Sequence, residues 1–222
     1  PADTVSQFLG SSFFCTPCGA VPKKDDPYGR IIQNYSHKIG GISLNDCLVD
    51  NSTEYISFKA RVELLDPITW YIKLALKDGY RQLAVHPLEW RTQVYTLGPT
   101  EHYIDLAMPL GKANSSKLFC RWASLWFESC LTRFNQKHQA EAALGSYVDD
   151  AFGGAVTRQT ATKLIDFITK AGDAMATVVN TAKTEGPATA MVILGLHYCS
   201  QEKICKLDPA KVIKYSNRIT AM

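Results

Sequence analysis

Long apolar runs are missing from this chain. None of its 222 residues lies in a stretch near the ~20 apolar residues that a helix needs to cross a bilayer, so no membrane partner is expected. An excess of one charge is missing too: 24 Lys and Arg stand against 21 Asp and Glu, a formal net charge of +3. That excludes a dominant basic tail but not a basic face, because binding to polyanions depends on where Lys and Arg are placed. Residues 1–10 lack a basic start followed by an apolar stretch, so they do not read as a signal peptide. The lack of an initiator methionine reads as an excised domain or a processed product. Cys15 and Cys18 form one CxxC, but a second such pair and histidines at ligand spacing are absent, which argues against zinc. The seven cysteines are odd in number and widely spread, a pattern that suits a reducing, intracellular compartment better than a disulfide framework. Internal repeats and low-complexity tracts are also absent.

What is present is ordinary for a globular protein: 46% hydrophobic and 20% charged residues. The length allows one large domain or two small ones sharing a core. Residues 1–65 are loop-rich, with strand candidates at Cys15–Pro22 and Arg30–Tyr35 around a polar hairpin loop over residues 23–29. Further strands are expected at Trp70–Leu76, Leu83–Val85, Thr92–Leu97 and His102–Ala107, with a turn or short helix start at Asp78–Tyr80. Lys117 to Gln139 reads as a helix with an apolar stripe of Leu118, Trp122, Leu125, Trp126 and Phe134. A second helix is expected from about Arg158 to Ala174, with Leu164, Phe167, Ile168 and Ala171 on one side, and strands follow at Ala176–Asn180, Met191–Tyr198 and Ile204–Leu207. This order predicts an α+β domain with helices packed on one face of an antiparallel sheet.

Between the two helices lies Tyr147-Val148-Asp149-Asp150, with Gly145 before it and Gly153-Gly154 after it. Leu144–Val148 and Ala151–Val156 read as the arms of a hairpin. Side chains alternate along a strand, so adjacent aspartates serve one site only at a bend. Two carboxylates at such a tip suit a hard cation such as Mg²⁺, and ions held this way clamp the oxygens of phosphoryl transfer.

In order and motif the chain resembles a reverse transcriptase, its fingers and palm together, from about Pro17 to Lys214. Val21-Pro22-Lys23-Lys24-Asp25, Gly29-Arg30-Ile31-Ile32, Val85-His86-Pro87 and Thr184-Glu185-Gly186-Pro187 are similar to retrotransposons that encode a tyrosine recombinase. The resemblance implies fingers over residues 1–70, palm over 71–87, a return to the fingers and nucleotide pocket over 88–112, palm again over 113–200, and the link to a thumb over 201–222. It implies that Asp149 and Asp150 are the catalytic, metal-binding pair, with Mg²⁺ or Mn²⁺ as cofactor. Lys23 and Arg30 resemble residues that grip the incoming triphosphate; Arg offers a bidentate fork and Lys a mobile point charge. Asp78 and Gly79 resemble the turn facing the triphosphate. Tyr80 resembles the aromatic under the sugar, which would select against the 2′-hydroxyl that marks RNA. Met108-Pro109-Leu110-Gly111 resembles the nucleotide-pocket segment, with Leu110 where many relatives have Phe or Gln. Lys183 resembles the lysine that neutralises departing pyrophosphate, and Leu194 and Gly195 the grip on the primer end. The implied partners are an RNA or DNA template with its primer, deoxynucleoside triphosphates, and thumb and RNase H segments of a longer polyprotein.

One position departs from the pattern. The family carries a third carboxylate five residues before the aromatic, and here that residue is Ala75. An alanine offers no oxygen to a metal, whereas two-metal transfer needs carboxylates to hold ions about 4 Å apart. Asp78 does not replace it, because a three-residue slip would displace Gly79 and Tyr80 and swap strand faces. Ala75 reads either as a substitution that silences the chemistry or as the mark of a polymerase fold kept for binding nucleic acid or for assembly.

Overall fold

The structure, a computed structural model, describes residues 2–10, 12–23, 26–48, 52–99 and 101–220. The first half of the chain holds α1 (Ala2–Leu9), β1 (Cys15–Lys23), β2 (Asp26–Gln33), α2 (Phe58–Leu65), β3 (Trp70–Ala75), β4 (Val94–Gly98) and β5 (Glu101–Ile104). Then come α3 (Ser115–His138), β6 (Ala142–Tyr147), β7 (Asp150–Ala155), α4 (Arg158–Ala174), β8 (Glu185–Ala188), β9 (Ala190–Ile193), β10 (Leu196–Cys199), β11 (Ile204–Leu207) and α5 (Pro209–Thr220). These elements form two compact units, one of Pro1–Glu54 with Asp78–Cys120 and one of Tyr55–Lys77 with Arg121–Met222.

The first unit is built on a sheet ordered β2-β1-β4-β5. Its interior is partly polar. Thr16, Gln33, Gln93 and Asp105 are buried beside Tyr35, and buried polar groups need partners. The Tyr35 hydroxyl donates to Gln33 Oε1 at 2.7 Å, Gln33 Nε2 donates to Asp105 Oδ2 at 2.8 Å, and Arg81 reaches both Asp105 oxygens at 2.6 Å. Burial raises the Tyr35 pKa, and the nearby Asp105 charge raises it further.

The second unit centres on an antiparallel sheet ordered β6-β7-β3-β8. Along β3, Ile72 and Leu74 are fully buried and alternate with Tyr71, Lys73 and Ala75 on the opposite face. α4 packs against β3 and β7 on the Ile72 side. On the Tyr71 side, Leu64 of α2 sits over Gly145 beside the Phe152 ring, and Leu65, Tyr71, Phe152, Met191, Ile193 and Tyr198 form a core cluster with the β9–β11 sheet. α4 has the bounds its pattern predicts because its signals are local. The Thr157 side chain accepts from Thr160 N at 3.1 Å, and Ala161, Leu164, Ile168 and Gly172 recur on one buried face.

The α+β architecture is as expected, but several elements differ. The apolar stripe of α3 runs through Phe119, Ala123, Trp126, Phe127, Cys130 and Phe134, while Leu118 and Leu125 are exposed. The helix is apolar on more than one side, and Ala123 completes a face that the larger residues obscured; Cys120 and Cys130 are buried as small hydrophobes, as their place in an apolar helical stretch suggests. Leu83–Val85 is not a strand but a single bridge, Ala84 to Ala107, and Ala176–Asn180 shrinks to one bridge, Leu76 to Val179. The strand expected over Met191–Tyr198 breaks at Leu194 and Gly195, whose φ of 47° and 80° turn the chain back. The second strand begins at Asp26, four residues before Arg30, and ends at Gln33. α1, α2, β8 and α5 carry no signal strong enough to be expected from the sequence.

Candidate active site

The β6–β7 hairpin closes at the Tyr147–Asp150 pair, so Val148 and Asp149 form its two-residue loop. Such loops require positive φ. Val148 supplies it at 55°, a conformation that strains a β-branched residue. The Asp149 carbonyl accepts from Leu76 N at 2.8 Å, which ties the end of β3 to the hairpin tip. In the β3–β7 register Ala75 stands opposite Asp150. Directly opposed residues share a face, so Ala75, only 3% exposed, presents its methyl group beside that carboxylate.

The surroundings of Asp150 are mixed in charge. Burial raises its pKa first and the Asp149 charge second, while Lys73 and Lys183 pull it down and Glu185 adds to the rise. Lys73 lies two residues before Ala75 on the same face and opposes Glu185 of β8. Their ion pair spans 2.5 Å. Lys183 ends a short 3₁₀ turn, Thr181–Lys183, held near β3 because Asn180 N donates to the Ala75 carbonyl at 2.7 Å. Asp149, Asp150, Ala75 and Lys183 therefore meet at one end of the sheet. Lys73 and Glu185 belong with them; Lys73 was not singled out from sequence, and Glu185 only as part of the Thr184–Pro187 phrase, without a role in the site. The i, i+2 spacing from Ala75 could have found Lys73; Glu185 lies in a segment whose composition does not read as a strand.

The remaining candidates occupy other places. Leu194 and Gly195 form the β9–β10 turn, and an added Cβ at Gly195 would strike the Lys211 side chain. In the first unit Lys23 closes β1, and its side chain lies outside the described residues, as do Lys24 and Asp25. Arg30 is exposed on β2 opposite Val21. Asp78, with φ of 53°, precedes the 3₁₀ turn Gly79–Gln82, and its carbonyl accepts from Arg81 N at 2.7 Å. The Tyr80 ring packs on Phe119 at 4.8 Å. The Leu110 carbonyl accepts from Gln33 N at 3.0 Å. The next residue, Gly111, has φ of 111° and passes so close to the Gln33 carbonyl that a Cβ would collide with it.

No protein-family model matches this sequence, and no curated protein does. Solved structures do match. The foamy viral protease–reverse transcriptase in complex with double-stranded DNA superposes with a TM-score of 0.75 at 16% identity, over 97% of this chain and 35% of that one. The same protein in complex with an RNA/DNA hybrid gives 0.66 at 16%, over 93% and 25%. The native prototype foamy virus protein gives 0.59 at 18%, over 89% and 23%. The fold is reverse-transcriptase-like. This chain spans roughly a quarter to a third of the length of those three proteins.

A reverse-transcriptase-like fold implies a pair of divalent ions at the hairpin tip. The residues present do not fit that pair. Ala75 has no donor where a shared ligand would stand, and among the described residues no group of three or more His, Cys, Asp or Glu could hold a metal ion. Asp149 and Asp150 are left to offer, while the third carboxylate nearby, Glu185, is paired with Lys73, and the ammonium groups of Lys73 and Lys183 are among the charges acting on Asp150. No helix of the described residues is long and apolar enough to cross a membrane.

Proposed function

We propose that this chain is the fingers and palm of an RNA-directed DNA polymerase from a retroelement, of the tyrosine-recombinase-encoding retrotransposon type, silenced at Ala75. The observation that carries the reading is the Asp149-Asp150 hairpin tip, tied by backbone to the end of β3, within a reverse-transcriptase-like fold. In the reaction so assigned, a primer 3′-hydroxyl attacks the α-phosphorus of a deoxynucleoside triphosphate. Lys23 and Arg30 hold the triphosphate by charge and fork geometry. Asp78 and Gly79 face it, Tyr80 supports the sugar, and Leu110 lines the pocket. Lys183 neutralises the leaving pyrophosphate, and Leu194 with Gly195 holds the primer end. Alignment and charge stabilisation supply most of such catalysis. Mg²⁺ or Mn²⁺ would supply the remaining charge, and the reading places it on Asp149 and Asp150 once position 75 carries a carboxylate.

Template–primer binding is assigned by likeness to proteins solved with double-stranded DNA and with an RNA/DNA hybrid. It should fall steeply with salt, as phosphate-dominated binding does. All seven cysteines are free, which supports an intracellular setting.

A second reading is a non-catalytic nucleic-acid-binding or assembly module that keeps the fold, since fold alone does not guarantee activity. Ala75 opposite Asp150 favours it. The experiment is primer extension on an RNA template with Mg²⁺, comparing the full-length protein with its Ala75→Asp variant. Extension by the variant alone supports the silenced polymerase. Duplex binding by both without extension by either replaces it with the binding module.

A further inference from the structure

The β9–β10 turn is a two-residue loop of Leu194 and Gly195, since Ile193 pairs with Leu196 across it. Both residues have positive φ, 47° and 80°, the geometry such hairpins favour but one that strains a leucine. Leu194 is held there because it packs against the core cluster that includes Leu65, Tyr71 and Phe152. The core thus fixes the turn.

The start of α5 docks on this turn. Asp208 N donates to the Gly195 carbonyl at 3.4 Å, and Lys211 N donates to the Asp208 carbonyl at 2.9 Å. These bonds bring the Lys211 side chain back over Gly195, where an added Cβ would collide with its Nζ, Cε and Cδ. Glycine is needed there twice, for its φ and for the room it leaves to the lysine.

Lys211 is half-buried. Among the described residues its ammonium makes no ion pair and no hydrogen bond. A partly desolvated charge without a partner destabilises the fold, and a bound anion removes that penalty. The surrounding segment is itself cationic. Residues 201–222 carry Lys203, Lys206, Lys211, Lys214 and Arg218 against Glu202 and Asp208, a net charge of +3 that equals the formal charge of the whole chain. The basic excess of the chain therefore sits in this segment. Lys206 and Lys214 are exposed, so they attract an anion without fixing its place. A half-buried point charge held on a rigid turn fixes it, and suits an oxygen of a phosphate group.

We propose that Lys211 binds a phosphodiester of the primer strand near its 3′ end, so that α5 supplies the charge that Leu194 and Gly195 lack. The proposal rests on the nucleic-acid reading above and on the assignment of the Leu194–Gly195 turn to the primer.

The test is fluorescence anisotropy of the full-length protein with a DNA primer–template duplex over a range of KCl. Lys211→Met keeps a stem over Gly195 and removes the charge; Lys211→Gln is the second neutral variant should the first not fold, and melting temperatures verify both. Neutralising one phosphate contributes about 0.9 to the slope of log affinity against log salt, so each variant should flatten that slope by about 0.9 and bind roughly eightfold more weakly at about 0.1 M salt. Primers with one uncharged methylphosphonate linkage, placed in turn near the 3′ end, locate the contact. At one position the parent should weaken by the same factor and the neutral variant should lose nothing further. An unchanged affinity and slope in the folded variants overturn the proposal. So does a loss that adds to that of every methylphosphonate, which marks a structural role. A parent that binds no duplex at any salt overturns the nucleic-acid reading as well; a parent that binds with a slope these variants leave untouched overturns this proposal alone. Primer extension by Ala75→Asp reports separately on the polymerase reading.

Discussion

Ala75→Asp should destabilise the protein without metal and make its stability depend on Mg²⁺. The register sets the new carboxylate directly across from Asp150, with Cβ atoms about 5 Å apart. At that separation and an effective dielectric of about 20, two negative charges repel by about 3 kcal/mol. Burial and Asp149 already disfavour the Asp150 charge, so little further relaxation is on offer. Lys73 and Lys183 offset part of the repulsion, leaving about 2 kcal/mol and a fall in Tm of about 4–8 °C for a chain of this size. An ion bound at a hundred times its dissociation constant returns about 2.7 kcal/mol. The assay is thermal unfolding of both chains with EDTA and with 10 mM MgCl₂ (roughly a saturating dose for a carboxylate site). The variant should melt below the parent in EDTA and regain its Tm in Mg²⁺, while the parent barely responds. An unchanged Tm in EDTA, or an equal Mg²⁺ response in both chains, would refute the placement of position 75 beside Asp150.

Four further outcomes follow from the same structure. The folded-state pKa of Asp150 lies above its unfolded value, so its ionisation costs stability above that folded pKa, and the cost vanishes as pH falls below the ordinary carboxylate range; Asp150→Asn should stabilise at pH 7 in denaturant unfolding but not at pH 3. Val148→Asn should raise Tm by a few degrees, because Asn tolerates the 55° φ and relieves about 1 kcal/mol of strain; no rise on calorimetry would show the loop unstrained. Asp105→Ala should cost about 1–3 kcal/mol, since it leaves Gln33 Nε2 buried without its acceptor, while the half-exposed Arg81 turns to solvent; urea midpoints report it. In a thiol-labelling time course exposed Cys47 and Cys205 should react first, and Cys130, buried and with its pKa pushed up to about 11, among the last.

How far the fold was legible differs from element to element. α4 was legible because apolar residues at helical spacing, Leu164, Phe167, Ile168 and Ala171, act within a few turns; the cap at Thr157 and the place of Ala161 and Gly172 on the buried face came only with the structure. The β6–β7 hairpin was legible for the same reason, as two short runs around one tight loop. The single strand expected over 191–198 failed because the sequence reads as one apolar run, whereas packing folds it back at Leu194 and Gly195. β8 escaped notice because Glu185-Gly186-Pro187-Ala188 has no strand composition; it is a strand only because β3 offers an edge to pair with.

By itself the sequence determined the α+β class, the position of the Asp149-Asp150 tip and the want of a carboxylate at position 75. Those depend on short-range periodicity, turn chemistry and side-chain identity. The tertiary structure alone decided that Ala75 faces Asp150, that Lys73 and Glu185 join that carboxylate, and that Lys211 lies over Gly195. Each of these rests on register and packing between segments that are not neighbours in the chain. Pairing across such distances is set by how whole faces pack, which no local pattern encodes.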